Sequence, residues 1–288
     1  MAGKLKVFVT GGNDGIGKAL CHQLARNHNI HVFLGSRNEQ RGKDAIKDIM
    51  EGAPEDTQVD LVIIDVGSDE SVQAAAASMA QYKPLHAVVN NAGVGLGHGV
   101  TNSEVMNVNA YGPKRVVEAF LPLVNPDGGR LIGTSSGAAS GYVGGTMFGN
   151  PVGSVPLEDR APLKDFDCTW EQLEDIMNRE KEADYGGGQE GFASYGLSKA
   201  VLTAYHMLLA RENPNLVCAT LSPGFIKTKM TEKFGPSLEP EDGTVSLKKC
   251  ILEELPKECK GWYYGSDGLR SPLDKMRNPG DPEYTGEE

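Results

Sequence analysis

Short, nearly continuous apolar runs rich in β-branched residues recur along the chain. They are KVFVT (6–10), IHVFLGS (30–36), QVDLVIID (58–65), LHAVVNN (85–91), GRLIGTSS (129–136) and NLVCATLS (215–222). Amphipathic stretches of helical length, such as IGKALCHQLARNH and GKDAIKDIM, lie between most of them. Strands of this kind alternating with helices predict a parallel sheet covered on both faces. Right-handed crossovers make the arrangement doubly wound. The expected fold class is α/β, a single domain over residues 1–288 with helices on both faces of a parallel sheet.

One segment, 137–194, breaks the rhythm. It is rich in Gly, Ser and Pro, including Pro151, Pro156 and Pro162. It also holds one clear helix signal: Thr169 suits an N-cap, and Gln172 three residues on completes a capping box. The run TWEQLEDIMNREKEA then places Trp170, Leu173, Ile176 and Met177 on one face. A glycine-rich hinge, YGGGQEG, is expected at 185–191. The polar, Pro- and Gly-containing tail NPGDPEYTGEE, from Asn278 to the end at 288, is expected to lie loosely on the surface.

Composition narrows the function classes. The hydrophobic fraction of 39% and charged fraction of 23% are ordinary for a soluble globular protein. No apolar run is long enough to span a bilayer. The start, MAGKLKVFVTGG, enters a strand-like run at once, so a secretory leader is not expected and the protein is expected to be cytoplasmic. A net charge of −11 argues against nucleic acid as a partner. Cys21, Cys168, Cys218, Cys250 and Cys259 are scattered without a C-x-x-C, which suggests reduced thiols. The six histidines make no H-x-x-x-H or H-E-x-x-H, so no metal site is expected.

The first strand runs into TGGNDGIGKAL, with Thr10, Gly11, Gly15 and Gly17. A tight strand-to-helix turn free of Cβ atoms lets the backbone approach a pyrophosphate, and the helix N-terminus presents N–H groups to it. The loop opens the chain, follows a strand and precedes a helix, which favours a nucleotide role over a bare turn. At the end of the second strand, FLGSRN, a site for NAD needs an acidic residue to accept from the ribose 2′-hydroxyl. Ser36 stands there and Arg37 follows. An arginine can grip a 2′-phosphate with a planar fork of donors, so NADP is favoured.

The spacing T-G-x-x-x-G-x-G resembles the short-chain dehydrogenase/reductase family, which has a Rossmann-like fold. Further motifs follow in the family's order over residues 10–228. They are Asp65 after the third strand, Asn90, Asn91, Ala92 and Gly93 after the fourth, Asn109, Ser136, then Tyr195 and Lys199 as Y-x-x-x-K. Pro223, Gly224 and Thr228 match the P-G-x-x-x-T that grips the nicotinamide amide. The resemblance implies cofactor contacts at Gly11, Asn13, Asp14, Gly15, Ile16, Gly17, Arg37, Asp65, Val66, Asn91, Gly93, Tyr195, Lys199, Pro223, Gly224, Ile226 and Thr228. It implies catalytic roles for Asn109, Ser136, Tyr195 and Lys199. Ser136 would bond the substrate oxygen, Asn109 would anchor a relay water, and Lys199 would also hold the nicotinamide ribose.

Tyr195 and Lys199, one helical turn apart, project together. A free tyrosine has a pKa of about 10. A neighbouring ammonium favours the phenolate and is expected to draw the pKa toward the working range of an acid–base catalyst. Tyr195 would give a proton to a carbonyl oxygen in reduction and take it from the alcohol in oxidation. Alone, the pair, Ser136 and Asn109 would read as a solvated helix face, a turn residue and a helix N-cap. Tyr205, near the opposite phase of the same helix, reads as packing.

The chain departs from the family pattern in two places. Asp14 stands in the glycine loop, where many NADP-preferring relatives carry a basic residue. The 137–194 insertion separates Ser136 from Tyr195, which resembles the carbonyl-reductase-like branch. In that branch the inserted helix covers the face that relatives use for tetramer packing, so a monomer is expected. Residues 225–242 read as a substrate lid. The expected activity is NADPH-dependent reduction of a small-molecule aldehyde or ketone carbonyl. An NAD-linked alcohol dehydrogenase and a non-catalytic nucleotide-binding regulator stand as alternatives.

Overall fold

The computed structural model describes residues 3–95, 98–147, 149–181, 190–235, 237–256 and 258–286. The expected rhythm appears as β1 (Lys6–Val9), α1 (Gly15–Asn27), β2 (His31–Ser36), α2 (Glu39–Met50), β3 (Gln58–Ile63), α3 (Asp69–Met79) and β4 (Ala87–Asn90). α4 (Asn102–Met106) passes through a π-helical turn, Asn107–Tyr111, into α5 (Gly112–Phe120), and β5 (Arg130–Thr134) follows. The insertion comprises α6 (Gly137–Val143), a minimal hairpin of β6 (Thr146–Met147) and β7 (Asn150–Pro151), a 3-10 stretch (Leu157–Leu163) and α7 (Trp170–Lys181). α8 (Glu190–Glu212), β8 (Val217–Leu221), α9 (Val245–Leu252) and β9 (Trp262–Tyr264) complete the order.

Seven strands form one sheet in the order β3-β2-β1-β4-β5-β8-β9, every pair parallel. The order reverses between β1 and β4, which is where such sheets open a crevice at their carboxyl ends. The central strands are apolar on both faces because each face is covered. On one face, Leu20 and Leu24 of α1, Ile49 of α2 and Leu247 of α9 pack against Val7, Val32 and Val89. On the other, residues of α3, α5 and α8 pack against Phe8, Phe33 and Val88, with the Phe8 and Phe120 rings stacked at 4.5 Å. Among the described residues no helix is long and apolar enough to cross a membrane. All five cysteines are free thiols, and four are buried.

The inserted helix behaves as its apolar stripe requires. The capping box forms, with the Thr169 N–H donating to Gln172 Oε1 at 2.9 Å and the Gln172 N–H to Thr169 Oγ1 at 3.4 Å. Leu173, Ile176 and Met177 are buried in the same cluster as Leu197, Val201 and Tyr205 of α8. The Trp170 ring sits edge-on to Tyr111 at 5.7 Å and to Tyr205 at 5.5 Å, so Tyr205 is a packing residue. α7 thus covers the flank of α8 and of the π-helical turn. Two buried ionic groups tie down the chain before it. Glu180 accepts from the Tyr142 hydroxyl and from the Ser154 and Val155 N–H groups. Arg160 stacks on the Tyr142 ring at 4.2 Å and donates to the carbonyls of Val155, Tyr142 and Val152. Hydrogen bonds of this kind are what make a buried charge tolerable. The hinge expected at 185–191 lies mostly outside the described residues.

The C-terminal stretch lies on the surface, held more firmly than its composition suggests. Arg270 stacks on Trp262 at 4.0 Å and on Tyr284 at 5.1 Å, and the Tyr284 N–H donates to Arg270 O at 3.0 Å. Arg277 pairs with Asp267 and donates to Asp281 O at 3.0 Å. Two guanidinium groups therefore replace the apolar contacts that a Pro- and Gly-rich tail lacks.

Candidate active site

The glycine loop is shaped by contacts that leave no room for side chains. Gly11 has φ +66, and a Cβ there would lie 2.9 Å from Ala92 Cα. A Cβ on Gly17 would collide with Gly11 O and the Asn91 amide. Gly15, at φ +50, faces Thr228, whose methyl carbon would be 3.2 Å from a Cβ. Thr10 Oγ1 accepts from the Asn91 and Ala92 N–H groups, each at 3.0 Å, and Asn91 Nδ2 donates to Thr10 O at 3.0 Å. The loop after β1, the loop after β4 and the Pro223–Thr228 stretch thus converge on one slot. Ile16 and Ile226 brace it from behind, both packing against Gly243.

Asp14 caps α1 and accepts from the Gly15 N–H at 2.9 Å. It also pairs with Arg41 at 2.7 Å and Lys229 at 2.6 Å. Burial raises its carboxyl, but the Lys229 bond and charge, the Gly15 N–H and Arg41 together hold it below the usual range. Its charge is therefore neutralised by Arg41 of α2 on one side and by Lys229, in the stretch after β8, on the other. Arg37 lies exposed at the end of β2, and Ser36 beside it is buried, its hydroxyl donating to Asn38 O at 2.8 Å. Burial, and after it the Arg37 charge, pushes the His98 imidazole down, which sets His98 at the same mouth. Asp65 caps its own turn, accepting from the Gly67 N–H at 2.9 Å, and Val66 is buried against Gly112.

The four expected catalytic residues meet at the carboxyl ends of β4 and β5. Asn109 is fully buried in the π-helical turn rather than at a helix N-cap. It donates to Val94 O at 2.8 Å and to Ser198 Oγ at 3.1 Å, and accepts from the Val94 N–H at 2.9 Å. π-turns inside α-helices often mark functional positions. Ser136 caps α6, accepting from the Ala138 N–H at 3.2 Å, and its hydroxyl lies close enough to the Tyr195 phenol to draw it down. Lys199 is buried, and its Nζ donates to Thr134 O at 2.8 Å and lies 5.9 Å from the centre of the Tyr195 ring. A Cβ on Gly93 would stand 3.3 Å from Lys199 Nζ and 3.4 Å from Asn109 Oδ1, so Gly93 leaves the space between them open.

The electrostatics differ from the simple expectation. Burial raises the Tyr195 phenol, and the group that counters it is the Ser136 hydroxyl rather than the Lys199 ammonium. Lys199 itself is lowered to about 8 by burial. Both shifts have one physical cause, the cost of charge away from water. The consequence is a phenol that keeps its proton at neutral pH, beside a hydroxyl that shares it.

Other residues around the site carry no motif. Met230, in the stretch after β8, reaches the wall: a Cβ on Gly95 would lie 3.0 Å from Met230 Sδ and 3.3 Å from Tyr195 Cδ2. That stretch folds back through an Ile226–Leu238 bridge, and its Phe234 ring lies 6.3 Å from that of Phe192 at the head of α8. Arg41, Thr134 and Met230 are side-chain or backbone partners that only the folded geometry brings to this place.

Comparison with known proteins agrees with this arrangement. A family model described as short chain dehydrogenase matches residues 5–149. The chain is 30% identical to (+)-neomenthol dehydrogenase of Arabidopsis thaliana, over 87% of this chain and 93% of that one. It is 27% identical to carbonyl reductase [NADPH] 1 of Mus musculus, over 88% and 92% of the two chains. Salutaridine reductase from Papaver somniferum has the same fold, with a TM-score of 0.74 at 24% identity over 91% of this chain and 99% of that one. Tyr195 and Lys199 lie beyond the span that the family model matches, yet they stand in the site that its glycine loop begins. The chain therefore belongs to the short-chain dehydrogenase family, an oxidoreductase family whose members interconvert alcohols and carbonyls.

Proposed function

We propose that the chain is an NADPH-dependent reductase of a small aldehyde or ketone. The observation that carries this reading is the meeting of Asn109, Ser136, Tyr195 and Lys199 at one end of the slot formed by the glycine loop. The slot suits a dinucleotide because Gly11 and Gly17, with no room for a Cβ against Ala92 and Asn91, bring the turn into α1 close to the loop after β4 with its backbone uncovered. The N-terminus of α1 and the glycine loop would take the pyrophosphate, and Pro223, Gly224 and Thr228 the nicotinamide amide. The name of the mouse relative supports NADPH. So does Arg37, exposed where an acidic residue would serve NAD. Asp14, paired with two cations, no longer opposes a 2′-phosphate.

NADPH, when bound, supplies the hydride. Ser136 orients the carbonyl oxygen by a hydrogen bond. Tyr195, protonated because it is buried, gives its phenolic proton to that oxygen. Lys199 holds the ribose and, through its positive charge, steadies the phenolate that Tyr195 leaves. Asn109, locked by Val94, fixes the backbone beside Lys199 and keeps a relay position open.

A panel of aldehydes, ketones and quinones offered with NADPH and with NADH, followed by loss of reduced-nicotinamide absorbance, tests the reading. Turnover with NADPH preferred is expected. Turnover of no carbonyl, or a preference for NADH, would contradict it. In the same assay, Arg37→Asp should lower the NADPH to NADH ratio of kcat/KM by about 10- to 100-fold, the equivalent of a charge-assisted hydrogen bond of about 1.5–3 kcal/mol. An unchanged ratio would mean that Arg37 serves only solvent.

The assembly proposed is a monomer of 30.8 kDa. α7 buries its apolar face against α8 within the chain, which avoids the entropy of association. Light scattering at micromolar concentration should give that mass, and a stable tetramer would refute the proposal.

A further inference from the structure

A hydroxyl outside the four expected catalytic residues joins the two loops that the proposed reaction needs held together. Ser222, the residue before the Pro223–Gly224 turn, accepts from the Gly137 N–H at 3.2 Å. It also accepts, more weakly at 3.5 Å, from the Gly224 N–H. Gly137 immediately follows Ser136, and Gly224 begins the stretch proposed to hold the nicotinamide amide. One oxygen thus bridges the strand-β5 loop and the strand-β8 loop.

The bridge needs an orientation, and the hydrogen-bond inventory supplies one. With both lone pairs of Ser222 Oγ facing N–H donors, its own proton must leave in another direction. Tyr263, on β9, lines one small cavity with Ser140, and the Ser222 and Ser140 hydroxyls draw its buried phenol down against the larger, opposite effect of burial. Ser140 Oγ in turn donates to Pro272 O at 3.2 Å. We assign this line of hydroxyls the direction Ser222 to Tyr263, Tyr263 to Ser140, and Ser140 to the Pro272 carbonyl, where it ends on backbone. Tyr263 is held in its protonated form by burial, which pushes it up to about 12.

We infer that Ser222 and Tyr263 are positioning residues, which set Ser136 against Tyr195 and the Pro223–Gly224 turn against the nicotinamide. The inference rests on the reductase reading above. It also gives the short edge strand β9 a purpose: Tyr263 pairs with Thr220 in the sheet register, two residues before Ser222.

Ser222→Ala removes the bridge, and Tyr263→Phe leaves the bridge but removes its orientation. Both should lose about 10- to 100-fold in kcat, the usual cost of a small misplacement near a reacting group. Two readouts separate positioning from mere stability. Hydrogen exchange of the Gly137 and Gly224 amides should quicken in Ser222→Ala without cofactor, while the rest of β5 and β8 stays protected. The acid limb of alcohol oxidation, which reports Tyr195, should move to higher pH in both variants, because the Ser136 hydroxyl is the group that lowers Tyr195. Ser222→Thr, which keeps the hydroxyl, should restore most of the rate. Wild-type exchange and an unmoved pH limb in the variants of an active enzyme would overturn the inference. A wild-type chain with no turnover would overturn the reductase reading, and this inference with it.

Discussion

Tyr195→Phe is expected to abolish turnover, by about 10²- to 10⁴-fold, the usual scale of a general acid, and to leave NADPH binding nearly unchanged. The ring still lies against Gly95; only the hydroxyl beside Ser136 is lost. Because burial keeps the phenol protonated, the wild-type enzyme begins each reduction with the acid already loaded. Stopped-flow turnover and calorimetric NADPH affinity check both halves. Activity above a tenth of wild type would remove Tyr195 from the role of proton donor.

Lys199→Ala should damage two quantities at once: NADPH affinity, by about tenfold or more, and turnover, by a further large factor. Its ammonium donates to Thr134 O and lies beside Asn109 and Gly93. The same buried position lowers it to about 8. The sign of the pH dependence follows. The charge proposed to hold the ribose and steady the Tyr195 phenolate is present below that pH and lost as pH rises through it. The rate of carbonyl reduction should therefore fall on the alkaline side with an apparent pKa of about 8, well below that of the raised Tyr195. In Lys199→Ala this limb should vanish from the residual activity. A loss of rate with affinity intact, or a limb that survives the substitution, would separate Lys199 from the cofactor.

The sheet was legible because six of its strands are apolar and β-branched enough to interrupt the helical pattern, even the partly exposed edge strand β3. β9 was not, because it contributes only Trp262, Tyr263 and Tyr264. Its signal was there, three β-favouring aromatics between Gly261 and Gly265, but three residues carry no periodicity. The motif residues of the site were legible because their chemistry restricts residue type and spacing. Gly11 and Gly17 have no room for a Cβ, and Tyr195 and Lys199 share a helical turn. Residues that act by where the chain folds were not legible. Nothing in the sequence pairs Asp14 with Lys229, more than two hundred residues away, or turns Lys199 toward Thr134 rather than toward the phenol. Asn109 was legible as a motif residue, but the π-turn that buries it is a backbone event with no residue signature. The insertion was half legible. The stripe of α7 required a partner surface, whereas the Glu180 and Arg160 anchors appear only once the backbone groups they satisfy are in place.

The central claim is that Tyr195 and its neighbours complete the transfer of a hydride from NADPH to a carbonyl carbon. It is tested most directly with NADPH deuterated at the transferable position of its nicotinamide and a ketone that the enzyme turns over. Mass spectrometry and NMR of the product should show one deuterium, on the former carbonyl carbon of a single alcohol enantiomer, with the hydroxyl proton drawn from water. An unlabelled alcohol, or oxidation of NADPH with no alcohol formed, would contradict the account.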